Sequence, residues 1–157
     1  MQTDPRCKRL NELSDQYHTL FRQLTEKYLA ELCGAHKLPE PLCVGDYMLL
    51  HQLSESGEGP VSMADISRKM KINPSTATRR VNRLVNNGLV VKIAAKYDDR
   101  RYDLRMTAKG TKITEEMGER LYQAVLKTYE PITETELQAV YHYLETCIEQ
   151  LDQLVSA

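Results

Sequence analysis

The sequence predicts a mainly α fold carrying one short β ribbon, and three observations predict it. Apolar residues recur at steps of three and four through most of the 157 residues, the spacing of one helical face. One stretch, Leu89 to Ala94 (LVVKIA), is rich in β-branched residues, and after a charged loop Tyr102 to Thr107 (YDLRMT) alternates polar with apolar, as paired strands do. Capping residues, glycines and prolines stand where the helical periodicity stops.

Each element follows from its own signals. From about Arg6 to Cys33, Leu10, Leu13, Tyr17, Leu20, Leu24 and Tyr28 form one stripe, and Gly34 is the expected stop. AHKLPEPLCVGD, with two prolines and a glycine, reads as an irregular link. Asp46 to Leu53 (DYMLLHQL) is apolar on most sides, as a buried helix would be, and SESGEGP is a turn. Ser62 and Asp65 have the spacing of a helix start, followed by Met63, Ile66 and Met70 on an apolar side. Asn73 is a good N-cap and Pro74 suits the first helical turn, where its missing N–H costs nothing. Ala77, Val81, Leu84 and Val85 then share a face until Gly88. Beyond the ribbon, Ile113, Met117, Leu121, Val125 and Tyr129 mark a helix from Ala108 to about Tyr129, which Pro131 breaks. Thr133 and Glu136 form a capping box for a last helix striped by Leu137, Val140, Leu144, Ile148, Leu151 and Val155.

Composition narrows the class. At 41% hydrophobic and 27% charged residues the chain reads as soluble and globular. No apolar run is long enough to cross a bilayer, and the first residues lack the apolar block of a secretory signal, so a cytoplasmic location is expected, with no membrane partner. Four cysteines (Cys7, Cys33, Cys43, Cys147) without regular spacing argue for free thiols over a disulfide framework. The net charge of −1 hides a strong asymmetry: Ser62 to Lys109 holds 12 basic and 4 acidic residues, whereas the remainder holds 9 basic and 18 acidic. A contiguous basic segment between acidic flanks points to a polyanionic partner. Nucleophile elbow, phosphate loop and HExxH motifs are all missing from the sequence, and the four His are scattered, so no enzyme and no cofactor is expected.

A short helix, the tight turn KINPS and a second, basic helix make a helix-turn-helix pattern, and the charged ribbon after it makes the pattern winged. Such a second helix fits a major groove about 12 Å wide. Its first turn offers Ser75 and Thr76 to phosphates or base edges, followed by Arg79, Arg80 and Arg83. In the ribbon loop Lys96, Arg100 and Arg101 are placed to reach the adjacent minor groove, and Asp98 or Asp99 makes sense there as the support of a neighbouring arginine. Double-stranded DNA is therefore the expected partner.

From Met63 to Gly110 the chain resembles the MarR-type winged-helix regulators. ISRKMKINPSTATRRVNRLVNNGLV is similar to that family's helix-turn-helix, and DDRRYDLRMTAKG matches its wing, an Asp-Arg-Arg loop before a strand ending in L-x-[LM]-T-x-x-G. The resemblance implies a homodimer on a pseudo-palindromic operator, usually a repressor released by a small molecule or by oxidation. It places Ser75, Thr76, Arg79 and Arg80 where the recognition helix meets DNA, Arg100 or Arg101 at the wing arginine, and Asp98 or Asp99 at its supporting carboxylate. Aromatic acids often lodge in this family between the dimer lobe and the DNA-binding lobe. Tyr17, His18, Phe21, Tyr47, Met48 and His51 are the candidate lining of such an effector pocket.

The expected organisation is one 157-residue domain, with a winged-helix lobe over 42–108 and a helical dimerisation lobe from 1–41 and 109–157. The long apolar stripes of the first and last helices argue for burial against a twofold mate. No metal is expected; Cys33, His36 and Cys43, with Glu40 among them, are weak candidates that match no strong zinc spacing. A regulator of the same fold that senses thiol oxidation or a metal, and a protein-only interaction module that has lost DNA binding, are the alternatives.

Overall fold

The computed structural model of the protein describes residues 5–57, 59, 61–95 and 98–156; for residues 6, 7, 95, 98–101 and 156 it describes the backbone alone. Six helices and three strands run in the order α1 (Pro5–Ala35), α2 (Val44–Glu55), β1 (Val61–Ser62), α3 (Met63–Lys69), α4 (Pro74–Asn86), β2 (Val90–Ala95), β3 (Asp98–Met106), α5 (Ala108–Tyr129) and α6 (Glu134–Ser156). The chain divides into two compact units, the first ending at Arg120 and the second starting at Leu121.

The first unit holds the core. Leu49, Leu50 and Leu53 of α2, Ile66 of α3, and Ala77, Val81 and Leu84 of α4 are buried. Leu89 just before β2, Val90 of β2, Leu104 of β3, and Ile113 and Met117 of α5 are buried as well. Leu29 and Leu32 are the buried apolar residues near the end of α1, whereas Leu10, Leu13, Tyr17 and Leu20 of its first half are exposed. The sheet has the order β1-β3-β2, all antiparallel. The ribbon thus has a third strand that reading Ser62 only as a helix start does not foresee: Val61 pairs with Leu104 and Ser62 with Asp103. Two residues are too few to show a strand's alternation. The β3 strand also starts at Asp98, so the charged loop is shorter than the sequence suggests.

Helix ends explain most boundaries. Ser62 accepts a hydrogen bond from the Asp65 N–H at 3.1 Å and donates its hydroxyl to the Asp65 carboxylate at 2.7 Å, which holds that carboxylate below its ordinary range. Gly34 does not stop α1, which runs on to Ala35. The left-handed residue is Lys37 (φ 47°), and Leu38 N–H closes back on Cys33 O at 3.0 Å. Lys71 (φ 50°) does the same after α3, where Ile72 N–H reaches Ser67 O at 3.1 Å. Gly88 (φ 69°) ends α4 as expected, with Leu89 N–H on Leu84 O at 2.9 Å.

The end of the wing motif has a packing reason. Leu104 is buried, and Thr107 caps α5: its Oγ1 accepts from Gly110 N–H at 3.0 Å and donates to Gly88 O at 2.8 Å. Gly110 lies so close to Leu89 O and Met106 Cγ that a Cβ there has no room. In the second unit, Thr133 N–H and Oγ1–H donate to Glu136 at 2.8 and 2.7 Å, the capping box that starts α6. These bonds hold the Glu136 carboxyl below its ordinary range, the Thr133 hydroxyl contributing most.

Candidate nucleic-acid interface

The α3–α4 turn aims one helix face outward. Asn73 Oδ1 accepts from Thr76 N–H and from the Ser75 hydroxyl, both at 2.8 Å, and Pro74 fills the first helical position. With Ala77, Val81 and Leu84 buried, helical geometry turns Ser75, Arg79, Asn82 and Asn86 to the opposite side. An open groove of about 490 Å³ runs along that side, lined by Glu40, Ser75, Thr78, Arg79, Asn82, Arg83 and Asn86. Reading the sequence for charge alone misses Thr78 and Asn82; counting three and seven residues from Ser75 would have found them.

The arginines of α4 do not act alike. Arg79 is exposed. Arg80 is turned back onto α2, where its Nη1 donates to Gly45 O at 3.1 Å. Arg83 Nη1 donates to the buried Asp46 Oδ2 at 2.7 Å, and Arg83 Nε lies 3.8 Å from Glu40. Its hydrogen bond to Asp46 raises the guanidinium further above its ordinary value. Of the three arginines offered to DNA by the sequence, Arg79 is exposed, whereas Arg80 and Arg83 are bonded to α2. Arg80 and Arg83 leave the common face because their positions flank the buried one, within reach of polar groups on α2. Asn86 Nδ2 donates to Glu40 Oε1 at 2.8 Å.

The wing is tied to this helix. Lys92 Nζ on β2 donates to Asn82 Oδ1 at 2.8 Å and sits 4.6 Å from the centre of the Tyr102 ring. Lys96 lies outside the described residues, as do the side chains of Asp98, Asp99, Arg100 and Arg101; the backbone of the last four belongs to β3.

The other candidate residues are placed as follows. Tyr17 stacks on Phe21 at 6.1 Å and meets His18 edge-on at 5.7 Å, all on α1. On α2, Tyr47 is buried, which raises its phenol above the ordinary value; Met48 and His51 are exposed. None of the six lines the α4 groove or a second cavity of about 630 Å³ beside Leu53, Val61, Leu104, Arg105 and Met106. Cys33, His36 and Cys43 each have a different neighbour: Cys33 Sγ accepts from Leu42 N–H at 3.5 Å, His36 Nε2 bonds Glu116 at 2.8 Å, and Cys43 Sγ lies 3.7 Å from Arg83. Among the described residues no three His, Cys, Asp or Glu side chains group to hold a metal. The side chain of Cys7 lies outside the description, and Cys147 is a half-buried free thiol.

Residues 43–101, from the N-cap of α2 into the wing, match the sequence model of the MarR family. This segment has a winged-helix fold of the MarR type. The whole chain superposes on a MarR family protein from Bacillus stearothermophilus with a TM-score of 0.71 at 23% identity, covering 100% of both chains. It matches a mutant MarR from E. coli with a TM-score of 0.71 at 17% identity, covering 94% of this chain and 99% of that one. The same E. coli mutant complexed with operator DNA gives a TM-score of 0.65 at 18% identity, covering 92% and 99%. At these identities the likeness establishes the MarR-type fold. No curated protein sequence matches the chain. No helix among the described residues is long and apolar enough to cross a membrane.

Proposed function

We propose that this chain is a sequence-specific DNA-binding transcriptional regulator, acting as a homodimer on a pseudo-palindromic operator. The observation that carries it is the outward face of α4, where Ser75, Thr78, Arg79 and Asn82 share one open groove beside a hairpin tied to the same helix. A basic segment over 62–109 supplies the attraction to phosphates. Ser75, Thr76 and Arg79 are assigned to DNA, with Arg100, Arg101 and Lys96 at the wing, and Asp98 or Asp99 supporting an arginine there. Arg80 and Arg83 are assigned to holding α4. The exposed apolar residues of α1 and α6 favour a second copy as partner. Repression, relieved when a small aromatic effector favours one spacing of the two reading heads, follows the MarR-type mode and a population shift.

The test is selection of duplexes from a random pool, then titration of the selected site against salt. Binding should weaken steeply, with a slope of about −0.9 per neutralised phosphate. Arg79→Ala should cost about 1–3 kcal/mol on the selected site, and Arg100→Ala with Arg101→Ala a similar amount for each arginine that meets DNA. A flat salt response would favour the protein-only interaction module.

A further inference from the structure

Arg80 and Arg83 reach consecutive residues of the first turn of α2. Arg80 donates to Gly45 O, and a Cβ on Gly45 would fall on the Arg80 guanidinium, so this approach requires glycine. Arg83 meets Asp46, which is fully buried; the same Oδ2 that takes the Arg83 bond accepts from Cys43 N–H at 2.9 Å. The other oxygen, Oδ1, has no hydrogen-bond partner among the described residues. A buried carboxylate of this kind depends on its cation. Two attachments three residues apart resist rotation of α4 about its own axis, and rotation is what would carry Ser75, Thr78, Arg79 and Asn82 off the groove.

We propose that Asp46 is a positioning residue for the recognition helix: through Arg83 it fixes the rotation of α4, and so sets sequence discrimination rather than attraction to DNA. This rests on the DNA-binding reading above. The proposal has a sign that charge alone does not. Removing a carboxylate from a protein that binds a polyanion ordinarily tightens binding. Glu40 provides the comparison, since it also faces Arg83, at 3.8 Å, but from the exposed rim of the groove. Asp46→Asn and Glu40→Gln make the same change in charge.

The experiment measures binding of the full chain to a duplex selected from a random pool and to a scrambled duplex of equal length, with amide exchange of 75–83 followed in parallel. Asp46→Asn should weaken the selected site about tenfold or more while binding the scrambled duplex as tightly as before or tighter, and α4 amides should exchange faster. Glu40→Gln, which keeps the Oε1 acceptor for Asn86 Nδ2, should tighten both duplexes about two- to threefold and leave exchange of 75–83 unchanged. If Asp46→Asn tightens both duplexes as Glu40→Gln does, the proposal is overturned. Should circular dichroism show Asp46→Asn unfolded, Arg83→Lys, which keeps the charge but loses the planar fork, takes its place with the same expectation. If the unaltered chain binds neither duplex, the DNA reading fails by itself. Amide exchange then decides the positioning claim, and unchanged exchange in Asp46→Asn overturns it.

Discussion

Helices α4 and α6 carry the same kind of sequence signal and end in different surroundings. On α4, Ala77, Val81 and Leu84 are fully covered, the first turn is capped by Asn73, and the last turn closes through Gly88. On α6 no described side chain is buried: Ile148 is 65% exposed, Leu151 61% and Val155 85%. A stripe at helical spacing states that a face needs covering; it does not state what covers it. The stripe of α4 is covered within the first unit, whereas the stripe of α6 is largely exposed. Under the proposed function, the difference would separate a part that reads DNA from a part that associates.

The largest effect should come from breaking the covered side. Leu84→Ala should lower the urea-unfolding free energy of the lobe by about 2–5 kcal/mol. Leu144→Ser, on the exposed stripe of α6, should leave that value nearly unchanged at high dilution and shift the sedimenting mass from twice 18.1 kDa toward 18.1 kDa. Equal loss of lobe stability at every concentration would deny α6 its associating role.

Gly110→Ala comes next. Its Cβ would press on Leu89 O and Met106 Cγ, and backbone cannot yield as a flexible side chain does. A cost of about 1–3 kcal/mol in the same melt is expected. Asn73→Ala removes the acceptor for Thr76 N–H and should cost about 1 kcal/mol. Lys71→Gly should act the other way, gaining up to about 1 kcal/mol by relieving a left-handed backbone.

The smallest effect is one of pH. His36 bonded to Glu116 holds that carboxyl below its ordinary 4.5. A lowered folded value means that the Glu116 contribution is fully present above the unfolded value and is lost as pH falls through the folded one. Urea midpoints should therefore drop more steeply on acidification for the unaltered chain than for Glu116→Gln, and parallel profiles would remove this pair from the acid response.

Much of the fold is legible in the sequence, for local reasons. The Asn73–Pro74 start, the Gly88 stop and the Thr133–Glu136 box are readable because cap chemistry acts within three or four residues. The short β1 strand is not, since pairing with Leu104 is a long-range fact that two residues do not advertise. Nor are Lys37 and Lys71 as left-handed helix ends, where a glycine would have been the signal. At the candidate site, charge points to Arg79, Arg80 and Arg83 alike. Only the fold, by bringing Gly45 and Asp46 beside α4, separates the first from the other two. The polar residues Thr78 and Asn82 carry no charge and so escape such a reading, although the helical period places them beside Arg79.

The most direct measurement is amide hydrogen exchange of the full chain with and without a selected duplex. Added DNA should protect the first two turns of α4 and the β2–β3 hairpin and leave α6 as it was, while dilution below the dimer range should loosen α6 and leave α4 as it was. Protection by DNA that fell on α6, or on no part of the winged lobe, would contradict the division of the molecule into a reading face and an associating one.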